Sequence, residues 1–279
     1  MTKSSMPFPK EDFMSQYLIA SDLDNTLLNA EHRVDALTRD TLRTLSAQGQ
    51  VIVLASGRHY HDIAAIRRQL EIPAWIISSN GAHLHDSEDR LVNETLVPTA
   101  LVQALVDMPR PPTVRLNLYT QDRWLIDAEA PELLPLHAMS GFTYQVDDMQ
   151  HLEHEHVGKV LYIGEPALLE PLERILRERH GEMLHITYSA ANSLEIMYRG
   201  VNKATALSRA LKALDIPIER ALAFGDNFND IEMLTLAGNA YVVSNAHPEV
   251  IDQLPRARTI GAHHESAVAR ALRQFFVLD

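Results

Sequence analysis

The sequence contains no cysteine, which excludes disulfides, thiol nucleophiles and thiolate metal sites. No apolar run approaches the roughly eighteen residues that a membrane span needs. The opening stretch, MTKSSMPFPKEDFMSQ, is polar and proline-bearing and lacks the apolar core of a secretion signal. A loose tail is expected over residues 1–16. Low-complexity segments and internal repeats are missing as well. Positive charge is scarce: 25 Lys and Arg face 37 Asp and Glu, a net charge of −12. That balance argues against a nucleic-acid-binding surface, which needs clustered Lys and Arg. It leaves open a locally positive site for a small anion. With no membrane span and no cysteine, the expected setting is cytoplasmic.

What is present is an ordinary globular balance, 46% apolar and 22% charged over 279 residues. That is enough for one large domain or two modest ones. YLIAS reads as a short buried strand. DALTRDTLRTLSAQG then has leucines near helical spacing, with Gly49 placed to end the helix. QVIVLASG is a second buried strand, HDIAAIRRQLEI a second helix ended by Pro73, and AWIISSNG a third strand. Strand and helix alternate, which reads as βαβ units on a parallel sheet.

From about residue 83 the pattern changes. AHLHDSEDRLVNE looks like a hairpin and residues 98–108 look helical. TVRLNLYTQDRWLID reads as two strands around a polar turn, and VGKVLYIG as another strand. PALLEPLERILRER is an amphipathic helix, and LHITYSAANSLEIMY gives two more strands. This is α+β order, expected to form a second domain inserted into the first. After Gly200 the helix–strand alternation returns. The boundaries expected are 17–84 and 198–279 for the first domain and 85–197 for the insert.

Three polar segments close predicted parallel strands: DLDNT (22–26), SGR (56–58) and GDNFND (225–230). That edge of an open α/β sheet is where ligands bind. Lys203 opens the helix that follows the insert. Asp22 and Asp24 are one residue apart, so on an extended chain they share a side. Two carboxylates crowded at a buried strand end cost free energy unless positive charge sits with them. Each segment alone is an ordinary turn or helix start; the set in this order is not.

The set resembles the haloacid dehalogenase superfamily of phosphohydrolases, in the Cof-type branch with a large inserted cap, and the resemblance runs from about residue 17 to the end. ASGRHYHDIAAIRRQLEIPAWIISSNGAHLHD and AFGDNFNDIEMLTLAG are closest to that branch. Bacterial pyridoxal-phosphate and sugar-phosphate phosphatases are the members it looks most like. The resemblance implies an α/β fold, a Rossmann-like core with a parallel sheet plus an inserted α+β cap. It also implies Mg²⁺-dependent hydrolysis of a small phosphorylated metabolite, pyridoxal 5′-phosphate or a sugar phosphate. Asp22 and Asp226 would hold Mg²⁺ by side chains and Asp24 by its backbone carbonyl. Asp22 would be the nucleophile that forms an aspartyl-phosphate, and Asp24 the acid and base. An acid acting near neutral pH needs a raised pKa, expected here from a partly buried, anion-rich edge. Ser56, Gly57, the Leu23 amide, Asn229 and Lys203 would contact phosphate. Asp230 would orient Lys203 or a metal-bound water.

Two other readings use the same aspartate. A phosphotransferase such as a phosphosugar mutase would yield an isomer rather than free phosphate. A signalling switch would keep a long-lived phospho-Asp22, against which Asp24 argues, since a base two residues on promotes turnover. Asn25 stands where the resemblance leads one to expect Gly, and Asn is among the residues best able to take the left-handed conformation there. HLEHEH (151–156) reads as a polar surface stretch rather than a metal site. Trp75 and Trp124 read as packing residues, with Trp124 also a candidate to face a substrate ring. Arg58 and His59 receive no role.

Overall fold

The computed structural model describes residues 16–151 and 155–279. The expected N-terminal tail thus lies outside the described residues, apart from Gln16. The chain begins with β1 (Leu18–Ser21), α1 (Ala36–Ala47), β2 (Val51–Ala55), α2 (Tyr60–Leu70) and β3 (Trp75–Ser78). Next come the short strands β4 (His83–His85) and β5 (Leu91–Glu94). The middle of the chain forms α3 (Thr99–Val106), β6 (Arg115–Tyr119), β7 (Trp124–Ile126), β8 (Tyr144–Val146), β9 (Lys159–Ile163), α4 (Pro166–His180), β10 (Leu184–Ala190) and β11 (Ser193–Tyr198). It closes with α5 (Lys203–Leu214), β12 (Ala221–Gly225), α6 (Ile231–Leu236), β13 (Asn239–Val243), α7 (Pro248–Gln253), β14 (Arg258–Ile260) and α8 (Ala267–Phe275).

The first sheet runs β14-β13-β12-β1-β2-β3-β4-β5. From β14 to β3 every pairing is parallel. The chain winds outward from β1 to β3 on one side, then restarts at β12 on the other. The strand order therefore reverses between β1 and β12, which opens a crevice beyond their C-terminal ends. Period-two alternation divides the strand side chains between two cores. Ile19 packs with α1, α2 and α8, whereas Leu18 and Ala20 pack with α5, α6 and α7. Trp75 sits in the second core, 9% exposed.

The helices start where the sequence offers caps. Asp35 accepts from the Thr38 amide at 2.9 Å ahead of α1, and Asn202 does the same for Thr205 ahead of α5. Gly49, beyond α1, takes a φ of +85°, which a side chain would strain.

The hairpin expected over residues 83–94 forms, but not as the opening of the insert. β4 pairs antiparallel with β3, and β5 with β4, so both extend the first sheet past residue 84. At the other end, β11 runs through Tyr198 in the second sheet. Local pattern showed the hairpin but not which sheet it would join.

The second sheet runs β10-β11-β9-β6-β7-β8 and is antiparallel except for β7 with β8. α3 and α4 cover one face. The other carries Tyr119, Trp124 and Leu161 towards a cavity shared with the first sheet. Trp124 is 1% exposed; its indole donates to Asn117 Oδ1 at 2.8 Å and meets the Tyr144 ring edge-on at 5.2 Å. Packing thus accounts for it, although it also lines the cavity. Trp124→Ala is expected to cost about 3–5 kcal/mol, read as a lower urea midpoint of unfolding. A midpoint equal to wild type would refute that packing role.

Both connections between the sheets meet at Ala82. Thr95 donates its amide to the Ala82 carbonyl at 2.8 Å, and Ala82 packs with Met197 and Val201. Beside it Gly81 (φ +100°) lies so close to Asn202 that a Cβ would sit 2.3 Å from the Asn202 carbonyl oxygen. Glycine is obligatory there. Among the described residues no helix is long and apolar enough to cross a membrane.

Candidate active site

The crevice between β1 and β12 collects the strand-end residues. Asp22 follows β1, and its amide donates to the Phe224 carbonyl at 2.9 Å. Asp226 follows β12. Oxygens of Asp22, Asp226 and Asp230 lie within 4.8 Å of one another, all three residues buried. Lys203, the first residue of α5, is fully buried and donates to Asp22 Oδ1 at 2.5 Å and Asp230 Oδ1 at 2.6 Å. The other Asp230 oxygen accepts the amides of Asp226 (3.0 Å) and Asn227 (3.1 Å). Asp230 is thereby committed to holding Lys203 and the turn. Thr26, which the sequence reading left without a role, donates to Asp226 Oδ1 at 2.8 Å.

The electrostatics follow from one ammonium facing three carboxylates. Burial raises the Asp22 carboxyl; Lys203 opposes this, but Asp230, Asp226 and Asp24 add to it, leaving it well above the usual range. Asp226 is pushed up to about 7, by burial first and then by Asp230. Burial alone would depress Lys203; Asp22 and Asp230 reverse that and hold it above the ordinary lysine range. The site is therefore short of positive charge. Its donors are all oxygens, the set that suits a hard divalent cation such as Mg²⁺. The residues present fit such an ion.

Asp24 departs from expectation. Its carboxylate takes a two-pronged bond from Arg58, Nε at 2.7 Å and Nη2 at 2.5 Å, with His32 Nδ1 at 3.1 Å. Burial pushes the Asp24 carboxyl up, but the hydrogen bonds and charges of His32 and Arg58 outweigh it. The net result lies well below the usual carboxylate range. The raised pKa expected of Asp24 thus falls on Asp22 and Asp226 instead. Next to it, Asn25 takes φ 58° and ψ 10°, the left-handed turn that the sequence anticipated. Its carbonyl accepts from Asn245 Nδ2 at 2.9 Å.

Ser56, after β2, is 2% exposed, and its hydroxyl oxygen accepts from the Arg58 amide at 3.1 Å. Its own proton remains to be donated. Leu23 is fully buried in the turn after β1. Asn229 is close by, and one N–H of its amide is committed to Asn80 Oδ1 at 3.1 Å. Asp22, Asp24, Ser56, Gly57, Asp226 and Asn229 all line one cavity of about 300 Å³.

Arg58 and His59 also reach the second sheet's segment. Arg58 Nη1 donates to the Leu136 carbonyl at 3.2 Å. His59 Nε2 lies 2.9 Å from the Thr120 carbonyl, and its ring stacks on Phe142 at 4.2 Å. Of the HLEHEH stretch, residues 152–154 lie outside the described residues, and His151 pairs with Asp148 at 2.7 Å.

This fold and site belong to a known class. The chain is a member of the haloacid dehalogenase-like hydrolases, whose family model matches residues 19–272. It is 36% identical over 264 residues to a Haemophilus influenzae protein named "Putative phosphatase", covering 94% of this chain and 97% of that one. It is 31% identical over 258 residues to the HMP-PP phosphatase of Yersinia enterocolitica, covering 92% and 94%. A crystal structure of a haloacid dehalogenase-like hydrolase from Bacteroides thetaiotaomicron superposes with a TM-score of 0.82 at 26% identity, covering 93% of this chain and 99% of that one. The chain is accordingly a phosphoric monoester hydrolase of the haloacid dehalogenase type.

Proposed function

We propose that this enzyme hydrolyses phosphate monoesters of small metabolites, pyridoxal 5′-phosphate or sugar phosphates among them, through an aspartyl-phosphate on Asp22 with Mg²⁺ in the site. The observation that carries the reading is the Asp22–Lys203–Asp230 arrangement beside Asp226, with Asp22 and Asp226 lining one cavity. Relatives named phosphatases over nearly the whole chain support it.

Asp22 and Asp226 would hold the cation through their side chains and Asp24 through its backbone carbonyl. When bound, Mg²⁺ offsets negative charge on the phosphoryl oxygens and the carboxylates. An Asp22 oxygen attacks phosphorus, and the bond from phosphorus to the leaving oxygen breaks. That oxygen takes a proton from Asp24. Water then attacks phosphorus and gives a proton to Asp24, and the bond to Asp22 breaks, releasing phosphate. Lys203, the Ser56 hydroxyl, the Gly57 and Leu23 amides and the second Asn229 N–H hold the phosphoryl oxygens throughout. Paired with Arg58, Asp24 is in the base form that accepts a proton from water. Donating a proton in the first step requires that pairing to open.

The test is phosphate release from pyridoxal 5′-phosphate, several hexose and pentose phosphates and flavin mononucleotide, with Mg²⁺ and with chelator. Release that needs the metal is expected. Isomerised product without free phosphate would replace hydrolysis with transfer.

A further inference from the structure

Three buried polar side chains between the two sheets have no part in the chemistry above: Asn80 (1% exposed), Lys159 (2%) and Glu195 (3%). Glu195 sits inside the apolar strand β11, opposite Leu161 of β9. Lys159, two residues along β9, therefore projects from the same face. Its ammonium donates to Glu195 Oε1 at 2.8 Å and to the Gly57 carbonyl at 2.6 Å. Ser189 donates to the same Glu195 oxygen at 2.9 Å. The other, Oε2, accepts the amide nitrogen of Asn80. Asn80 Oδ1 in turn accepts the amide nitrogen of Asn229. Asn80 holds a left-handed backbone, φ 55°, to make these contacts. A Cβ on Gly57 would lie 3.1 Å from both Asn80 Oδ1 and Glu195 Oε2, so the Gly57 loop rests directly on this group.

The direction of these bonds is forced. A carboxylate can only accept. Asn80 must therefore turn its NH₂ towards Glu195, which leaves its carbonyl facing Asn229. Asn229 can answer only with its own NH₂. A side-chain amide can otherwise sit either way round; here a charge two bonds away selects one orientation. One Asn229 N–H is spent on Asn80, and the second is free for a phosphoryl oxygen.

We propose that Glu195 is a positioning residue for phosphate binding. One carboxylate of the second sheet orders two phosphate-contacting groups of the first, Asn229 through Asn80 and Gly57 through Lys159. The phosphate cradle is complete only when the second sheet is seated on the first. This rests on the phosphatase reading, since it assigns Asn229 and Gly57 to phosphate.

The experiment compares wild type with Glu195→Gln, Asn80→Gly and the double variant, as full chains with Mg²⁺. The glycine variant keeps the left-handed backbone and the Lys159–Glu195 pair, so it reads the same chain of bonds even if Glu195→Gln fails to fold. kcat/KM should fall by the same factor for every phosphomonoester, towards the ~100-fold that a misplacement of about 1 Å costs. The inhibition constant for inorganic phosphate should rise in parallel. The double variant should lose less than the product of the single losses, because both act on one chain of bonds. Losses that differ tenfold or more between leaving groups would make Glu195 a reader of the organic part and overturn the proposal. So would fully multiplicative losses, or a lower melting temperature with unchanged phosphate inhibition. Calorimetric binding of inorganic phosphate needs no turnover. A wild type that binds phosphate more tightly than both single variants upholds the proposal even if it hydrolyses nothing, whereas that lack of hydrolysis sinks the phosphatase reading alone.

Discussion

Asp22→Ala should abolish phosphate release, by at least about 10⁴-fold in kcat, as expected when the nucleophile of a covalent mechanism is removed. The same substitution should not lower stability in chelator. Asp22 is buried among like charges, and its carboxyl is held well above its ordinary pKa. A raised folded-state pKa means that keeping Asp22 ionised costs free energy above that pKa, a cost relieved only as pH falls. Removing the carboxylate removes the cost, while Lys203 keeps its bond to Asp230 at 2.6 Å. The expected pairing is a dead enzyme with an equal or higher melting temperature, a separation seen where function needs a strained site. Residual metal-dependent turnover within tenfold of wild type would rule out Asp22 as nucleophile. A clear fall in melting temperature would mean that the Lys203–Asp22 pair is mainly structural.

Lys203→Met should act in the opposite sense on stability. The methionine has similar length, but the carboxylates of Asp22, Asp226 and Asp230 then lie within 4.8 Å of one another without the ammonium between them. Removing one partner of a buried ion pair typically costs about 3–5 kcal/mol. The sign with pH is fixed. Without Lys203 the folded-state carboxyl pKa values of Asp22 and Asp226 rise further above their unfolded values. The folded state then binds more protons, and stability recovers as pH is lowered from neutrality towards the ordinary carboxylate range. Mg²⁺ should restore part of the loss at neutral pH. Thermal melts at two pH values, with and without Mg²⁺, read all of this. A melting temperature unchanged by the substitution would show that the cluster does not depend on Lys203.

The βαβ alternation and the three strand-end segments were readable because each is local. A strand of period two followed by a polar turn and a capped helix announces itself within about thirty residues. Asp22, Ser56 and Asp226 then follow from the one fact that parallel strands end at a common edge, and Lys203 from the start of the helix where the alternation returns. The environment of Asp24 is not legible locally, because its partner Arg58 lies thirty-four residues away. Glu195 and Lys159 gave only a faint signal, a charged residue in each of two apolar strands. Their partnership depends on β11 lying beside β9, and their bearing on Asn229 depends on Asn80, 115 residues from Glu195. The β4–β5 hairpin was assigned to the insert for the same reason: sheet membership is a long-range property.

The meeting of both connections at Ala82 has a consequence for how this architecture can vary. A segment whose two ends leave and rejoin the host at neighbouring points imposes little loop-closure entropy on it. The host's strands need not move to admit a longer, shorter or differently shaped cassette between the same two anchor points. Chimeras that exchange the chain between Thr95 and Val201 should keep the geometry of Asp22, Lys203 and Asp230. They would give up the contact of Glu195 with Asn80, so a transplanted cassette would have to bring an acceptor of its own to that place.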